Sequence, residues 1–402
     1  MLTSSLTFKW RLSKDLGMRV VVGLLSHFST IRNRKTTLLV STTGDTGPAA
    51  VQAVSDIANP LLTILVHYPK GQISEFQRRQ LTTVDSKCVR IVEFEGGGDD
   101  MDKPIKTICT SQTATADHRK CGVNSYNIGR PLMQAVHFVW TYLRVMERLE
   151  KKPLSENLLD VVLPTGAMGN IAGGYIAKMC GLPLGFLCAG VNVNDIVFRA
   201  IQTGKYYKSS KMLHTLSDAI NIQLPYNFER LLFYLTDSNH SLVKEWMTCV
   251  DETAKLDLDA QWLIKLQAEF RSARVPDDVM CETLKKVDTL FSYVADPHTA
   301  VALAAAEELG YFPINCYDRP VAVLATASPC KFRESVTVAL GEEGWNAYEA
   351  HMFPVRGWDL LSKEEITPTV YKFTEGMSLE DAQVEWEKLA LEIIGDLGKL
   401  VQ

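Results

Sequence analysis

Ser41-Thr42-Thr43-Gly44-Asp45-Thr46-Gly47-Pro48-Ala49-Ala50 follows a β-branched apolar run at 36–40 and leads into an apolar-periodic segment at 51–58. The order is strand, small-residue loop, helix. Such a loop gathers backbone N–H groups at a helix N-terminus, where a carboxylate or phosphate is stabilised. Asp45 would repel a bound anion, so a cationic or zwitterionic group is expected beside it. A capped helix after a tight turn is the other reading of the same residues.

Strand–loop–helix units recur along the chain. Residues 61–68 form an apolar strand ended by Pro69-Lys70-Gly71, 75–83 read as a helix, and 88–94 as a strand. Gly96-Gly97-Gly98-Asp99-Asp100 is a loop, and 102–116 and 130–151 read as helices. A second set starts with a strand at 160–163, then Pro164-Thr165-Gly166-Ala167-Met168-Gly169-Asn170 and a small-residue helix over 171–179. Strands are expected at 184–191 and 319–324, while 238–290 and the acidic tail 342–402 read as helical. This alternation predicts an α/β fold with parallel sheets flanked by helices. Two lobes are expected, 1–155 and 156–402, each with a Gly-containing loop after a strand. A cleft between them, near the carboxyl ends of the strands, is the natural binding place.

A chain of 402 residues, 46% apolar and 22% charged, has the make-up of a globular protein with a large core. Its net charge of −5 argues against nucleic-acid or membrane-surface partners. No apolar run reaches the ~18 residues of a membrane span. Nine cysteines without regular spacing suggest free thiols in a reducing, cytoplasmic setting, and no metal site is expected. The first 35 residues are basic and rich in Ser and Thr, so a mitochondrial leader is the alternative to a core helix there. That helix is expected over 16–28, with Val20, Val21, Val22, Leu24 and Leu25 buried.

Neither loop ends in the Gly-Lys-Ser/Thr of a P-loop, and neither has dinucleotide-binding Gly-x-Gly-x-x-Gly spacing. The 165–170 loop suits a single phosphoryl group approaching backbone amides. No Gly-x-Ser-x-Gly elbow is present, and His298, after Asp296-Pro297, is expected to start a helix.

Four segments together resemble the threonine synthase family of pyridoxal-phosphate enzymes, and within it the threonine synthase-like 2 branch. Lys14-Asp15-Leu16-Gly17 is similar to the family's Phe-Lys-Asp-Leu motif, whose lysine carries the cofactor. Ser41-Thr42-Thr43-Gly44-Asp45-Thr46-Gly47 is similar to its Thr-Ser-Gly-Asp-Thr-Gly loop. Leu163-Pro164-Thr165-Gly166-Ala167-Met168-Gly169-Asn170 resembles its cofactor-phosphate loop, and Thr326-Ala327-Ser328-Pro329-Cys330-Lys331-Phe332 its Thr-Ala-x-Pro-x-Lys-Phe turn. The resemblance runs over about 15–336.

It implies a two-lobed fold type II enzyme, related to the tryptophan synthase β subunit, with pyridoxal phosphate as cofactor. By resemblance Lys14 is the catalytic lysine, and Thr165, Gly166, Ala167, Met168, Gly169 and Asn170 cradle the cofactor phosphate. Thr326 faces the pyridine nitrogen. Asp45, with Thr42, Thr43, Gly44 and Thr46, surrounds the cofactor's ring hydroxyl and the substrate carboxylate. Asn127 and Arg130 are candidates for the substrate phosphate, Arg being suited to bidentate phosphate contacts. A solvent-exposed charge at a helix start is the alternative for Arg130.

The implied substrates are O-phosphohomoserine and O-phosphothreonine, in amino-acid metabolism. Elimination of phosphate, then hydrolysis of the released enamine, gives 2-oxobutyrate and ammonia, the outcome associated with the threonine synthase-like 2 branch. Addition of water would give threonine instead. Ser328, where synthases usually carry His, points to the lyase outcome. A catalytically impaired, truncated paralogue is the third possibility, and a monomer or homodimer fits the resemblance.

The lysine motif is interrupted. Leu6-Thr7-Phe8-Lys9 supplies the family's Phe-Lys, whereas Lys14 supplies the lysine directly before Asp-Leu-Gly, so Lys9 is the alternative. Family members carry a longer segment ahead of this lysine, and that part of the family fold is expected to be missing. Gly96-Gly97-Gly98 also differs from the usual Glu-Gly-Asn/Ser pattern.

Overall fold

The computed structural model describes residues 13–98, 100–110, 118–312 and 319–399. In chain order the strands are β1 (Lys35–Ser41), β2 (Leu62–Pro69), β3 (Val89–Phe94), β4 (His118–Gly122), β5 (Leu159–Pro164), β6 (Leu184–Val191), β7 (Lys205–Tyr207), β8 (Lys255–Asp257), β9 (Phe270–Arg274), β10 (Val321–Val323) and β11 (Thr369–Tyr371). The first six helices are α1 (Ser13–Ile31), α2 (Thr46–Ile57), α3 (Glu75–Thr82), α4 (Asp102–Thr110), α5 (Gly129–Arg148) and α6 (Gly169–Met179).

The chain divides into two compact units. One joins the described parts of Trp10–Met133 and Phe353–Gln402; the other is Gln134–Met352. The first holds a parallel sheet in the order β11-β3-β2-β1-β4, and the second a parallel sheet in the order β10-β5-β6-β9. A two-stranded antiparallel ribbon, β7-β8, accompanies the second sheet. Strands buried on both faces read as continuous apolar runs, and β2 is buried along its whole length. The expected parallel α/β architecture is therefore present.

Several boundaries differ from the sequence-based expectation, each for a local reason. The units meet in sequence at 133/134 rather than 155/156, and the tail joins the first unit. Trp386, Ala390, Ile394 and Leu397 recur at helical spacing on the Leu379–Lys399 helix and pack with Phe94, Met101 and Ile105. The tail also contributes strand β11, paired with β3. The 238–290 stretch is not wholly helical, because Phe270–Arg274 forms β9 against β6. Charged residues at 271 and 274 masked that strand in the sequence.

The 16–28 helix is present within α1, yet Val20 and Leu24 are 46% and 48% exposed, contrary to expectation. They lie four residues apart on the face opposite Met18 and Val22, both fully buried. No helix among the described residues is long and apolar enough to cross a membrane. No metal-ligating cluster occurs among the described residues.

Candidate active site

In the first unit, the loop after β1 is held from within. Thr42 Oγ1 accepts from the N–H groups of Gly44 and Gly47, both at 3.1 Å, while Thr42 N–H donates to His67 O at 2.9 Å. Gly44 has φ +136°, and a Cβ there would overlap the Gln77 amide. Only glycine meets both demands.

Gln77 is fully buried at the start of α3 and bridges two features. Its Oε1 accepts from Ser74 N–H at 3.2 Å, closing a capping box, and its Nε2 donates to Asp45 Oδ1 at 2.9 Å. The other Asp45 oxygen lies 3.7 Å from Lys14 Nζ. The cationic neighbour expected for Asp45 is thus the lysine of the Lys-Asp-Leu-Gly motif. Sequence reasoning missed Gln77, although Ser74-x-x-Gln77 is itself a capping signature.

Lys14 sits in the first turn of α1. The helix is tied to α2 by Arg19, which lies 3.6 Å from Asp15 and 2.5 Å from Asp56. Lys9 lies outside the described residues. Thr43 and Thr46 are half-buried, and their hydroxyls make no hydrogen bond among the described residues.

Asn124 braces the loop's entry, donating to Ser41 O at 2.7 Å and accepting from Ser41 N–H at 3.3 Å. Asn127 shapes the following turn: Nδ2 donates to Gly122 O at 3.0 Å and Oδ1 accepts from Gly129 N–H at 3.0 Å. Arg130 is 1% exposed and donates to Val123 O at 2.9 Å, so it is no solvent-facing helix-start charge.

In the second unit, the loop from β5 into α6 is of the opposite kind. Thr165 N–H donates to Gly190 O at 2.8 Å, but the amides of Gly166, Ala167, Met168, Gly169 and Asn170 have no acceptor among the described residues. Met168 has φ +60°, which turns the chain into the helix. A Cβ on Gly166 would stand 2.9 Å from Ile220 Cα, so backbone packs on backbone there. Asn227, fully buried, donates to Ala167 O at 2.8 Å and is itself held by Arg230.

Two histidines border this loop system, His137, which sequence reasoning left unassigned, and His298, which it placed at a helix start. His137 is half-buried, and desolvation pushes its pKa down to about 4, with neighbouring Asn170 working against the shift. His298 follows Asp296, which caps the Pro297–Glu308 helix as the sequence suggested. Its Nδ1 lies 3.0 Å from Asp296, and its Nε2 meets Ala219 N–H at 3.1 Å and Asp218 at 3.6 Å. Burial opposes charging this ring, but the two carboxylates outweigh it and raise its pKa. A charged ring would keep the Asp296 contact and exchange Ala219 for Asp218.

The His298 ring also packs edge-on against Phe332, 4.8 Å between centroids. It therefore links the 326–332 turn to the 218–220 segment whose Ile220 closes on Gly166. Thr326, just after β10, is half-buried, with its hydroxyl unbonded among the described residues.

These features fit a phosphorylated ring cofactor. Five amides converge on one helix start, glycine allows close packing behind them, and no acidic side chain belongs to the loop.

Residues 299–375 match the family model described as threonine synthase, C-terminal. Threonine synthase-like 2 from Pongo abelii is 35% identical over 331 residues, covering 81% of this chain and 66% of the relative. The chain thus spans just under two thirds of the length of that relative. Threonine synthase from Pseudomonas aeruginosa is 31% identical over 353 residues, covering 88% of this chain and 71% of the relative. Among solved structures, pyridoxal-phosphate-bound threonine synthase from Brucella melitensis superposes with a TM-score of 0.77 at 28% identity, covering 92% of this chain and 75% of that one.

Proposed function

The chain belongs to the threonine synthase family, and from that premise we propose that it is a pyridoxal-phosphate-dependent phospho-lyase. The observation that carries this reading is the row of amides from Gly166 to Asn170, at the start of α6, that have no acceptor among the described residues. Such a row, with small side chains around it, fits one phosphate monoester.

When bound, the cofactor supplies an electron sink for charge left on the substrate's Cα. Lys14 would hold the cofactor and take the Cα proton, a role for which its amine must stay oriented. Asp45, fixed by Gln77, supplies that orientation from 3.7 Å. The free hydroxyls of Thr43 and Thr46, with the Gly44 backbone, receive the substrate carboxylate. Thr326 offers its hydroxyl to the pyridine nitrogen, and a neutral partner leaves that nitrogen unprotonated. Arg130, a guanidinium suited to bidentate phosphate contacts, is the candidate for the substrate phosphate. Asn127 sets the turn that delivers Arg130.

The net reaction takes O-phosphohomoserine and one water to 2-oxobutyrate, ammonia and inorganic phosphate. The C–O bond to phosphate breaks, and water hydrolyses the released enamine. O-phosphothreonine gives the same products by loss of phosphate from Cβ. Ser328, in the turn after Thr326, is the feature that favours this over threonine synthesis. Incubating cofactor-loaded protein with each phospho-amino acid and quantifying 2-oxobutyrate and threonine separates the outcomes. The proposal expects 2-oxobutyrate to dominate; threonine as the main product would make the chain a synthase.

A further inference from the structure

A cavity of about 310 Å³ lies at the end of the first unit's sheet away from the 41–50 loop. It is walled by the last turns of α1 and α4 and by the starts of β1 and β4. β1 alone separates its two ends by roughly 20 Å, so the cavity is not part of the site around Lys14 and Asp45.

Its polar wall carries Arg32, Arg34, Arg119 and Lys120, and no carboxylate lines it among the described residues. Among the described residues none of the four makes an ion pair, and none donates a side-chain hydrogen bond to either helix end. Helix C-terminal capping therefore does not account for them, although the helix dipoles favour cations at that place. Arg34 Nε is fully shielded from solvent with no hydrogen-bond partner. A buried guanidinium donor left unmatched is costly and calls for an acceptor. Arg32 lies over the Phe28 ring, 5.6 Å from its centroid, which holds it at the rim without neutralising it.

Leu25, Phe28 and Ile108 supply apolar wall, and Ser29, Thr36, Cys109 and Cys121 add small polar and thiol surface. His118 points inward, with Nε2 2.6 Å from Thr37 Oγ1. Burial first, then Lys120 and Lys35, hold its pKa below the ordinary value, so the imidazole adds no further charge near neutrality. Several cations lining a cleft with some apolar wall suit a compact anion attached to a small apolar body.

We propose that this cavity is a second ligand site, binding a soluble phosphate monoester with Arg34 and Arg119 on the phosphate and Phe28 and Ile108 against its organic part. The test uses the full chain loaded with pyridoxal phosphate, at ionic strength held constant with sodium chloride. Arginine labelling by phenylglyoxal is followed peptide by peptide by mass spectrometry, with phenyl phosphate, inorganic phosphate or phenol added. Phenyl phosphate is expected to slow labelling of Arg34 and Arg119 at least threefold. Inorganic phosphate should do so at higher concentration, and phenol not at all. In Arg34→Met, phenyl phosphate should no longer protect Arg119; because the wild-type footprint is read independently, a poorly folding variant leaves the test intact. Equal labelling of Arg34 and Arg119 with and without phenyl phosphate would overturn the proposal. Protection by phosphoinositide-containing vesicles but not by phenyl phosphate would do the same, making the cavity a lipid-headgroup site.

Discussion

In the loop after β1, the amides of Gly44 and Gly47 are consumed by Thr42 Oγ1, and the loop's carboxylate is bound by Gln77 and Lys14. In the loop after β5, five successive amides have no acceptor among the described residues, and the supporting groups stand behind the backbone. Both loops follow a parallel strand and open a helix. One ties two of its glycine amides to its own threonine and presents side chains; the other keeps its side chains small and leaves its backbone to bind. Chemistry that needs a lysine, a carboxylate and hydroxyls suits the first, and a phosphate anchor suits the second.

The widest gap between the loops should open at Lys14. Lys14→Ala is expected to lower turnover by about 10²–10⁴-fold, the range for losing a positioned acid–base group. A stopped assay on the phospho-amino acids measures it, and phosphate anchoring by the other loop should leave residual cofactor affinity.

Two alanine substitutions compare the loops directly. Gly44→Ala places a side chain at φ +136° against Gln77, and Gly166→Ala drives a Cβ to 2.9 Å from Ile220 Cα. Each should cost about 1–3 kcal/mol in urea unfolding. Only Gly166→Ala should also weaken cofactor binding, by tenfold or more in a fluorescence titration. Equal loss of cofactor affinity in both variants would erase the distinction.

Acid should strain both units alike. His67 and His137 each have a folded pKa near 4, lowered chiefly by burial, against 6.5 for the free side chain. For a histidine lowered on folding, the unfolded chain takes the proton first. Stability is then full above about pH 6.5 and falls as pH drops toward 4, by about 2 kcal/mol per histidine at pH 5. Urea melts at pH 7 and pH 5 should show this loss, and His67→Leu with His137→Leu should remove most of the difference.

The smallest effect is expected behind the second loop. Asn227→Leu deletes the bond to Ala167 O and should cost about 1–2 kcal/mol, with cofactor affinity falling severalfold. Unchanged affinity in a folded variant would mean that the amides hold their shape without a brace.

What could be read in the sequence was what depends on short-range order. Strand-to-helix loops announce themselves by apolar runs broken by Gly, Thr and Asp, so both loops and the parallel sheets were legible. Contacts between distant segments were not. Nothing near Asp45 indicates that Gln77 will bind it, and nothing near His298 indicates that its ring will face Ala219 and Phe332. The tail's return to β3 and the exposure of Val20 and Leu24 were likewise set by partners far along the chain. The lysine was legible only as a pair, Lys9 or Lys14, because the motif that carries it is split.

That pair is where the account is most directly tested. Cofactor-loaded protein, reduced with borohydride, digested and mapped by mass spectrometry, should carry the pyridoxyl group on Lys14. A label on Lys9, or on no lysine of this segment, would contradict the assignment of Lys14 and Asp45 to one site.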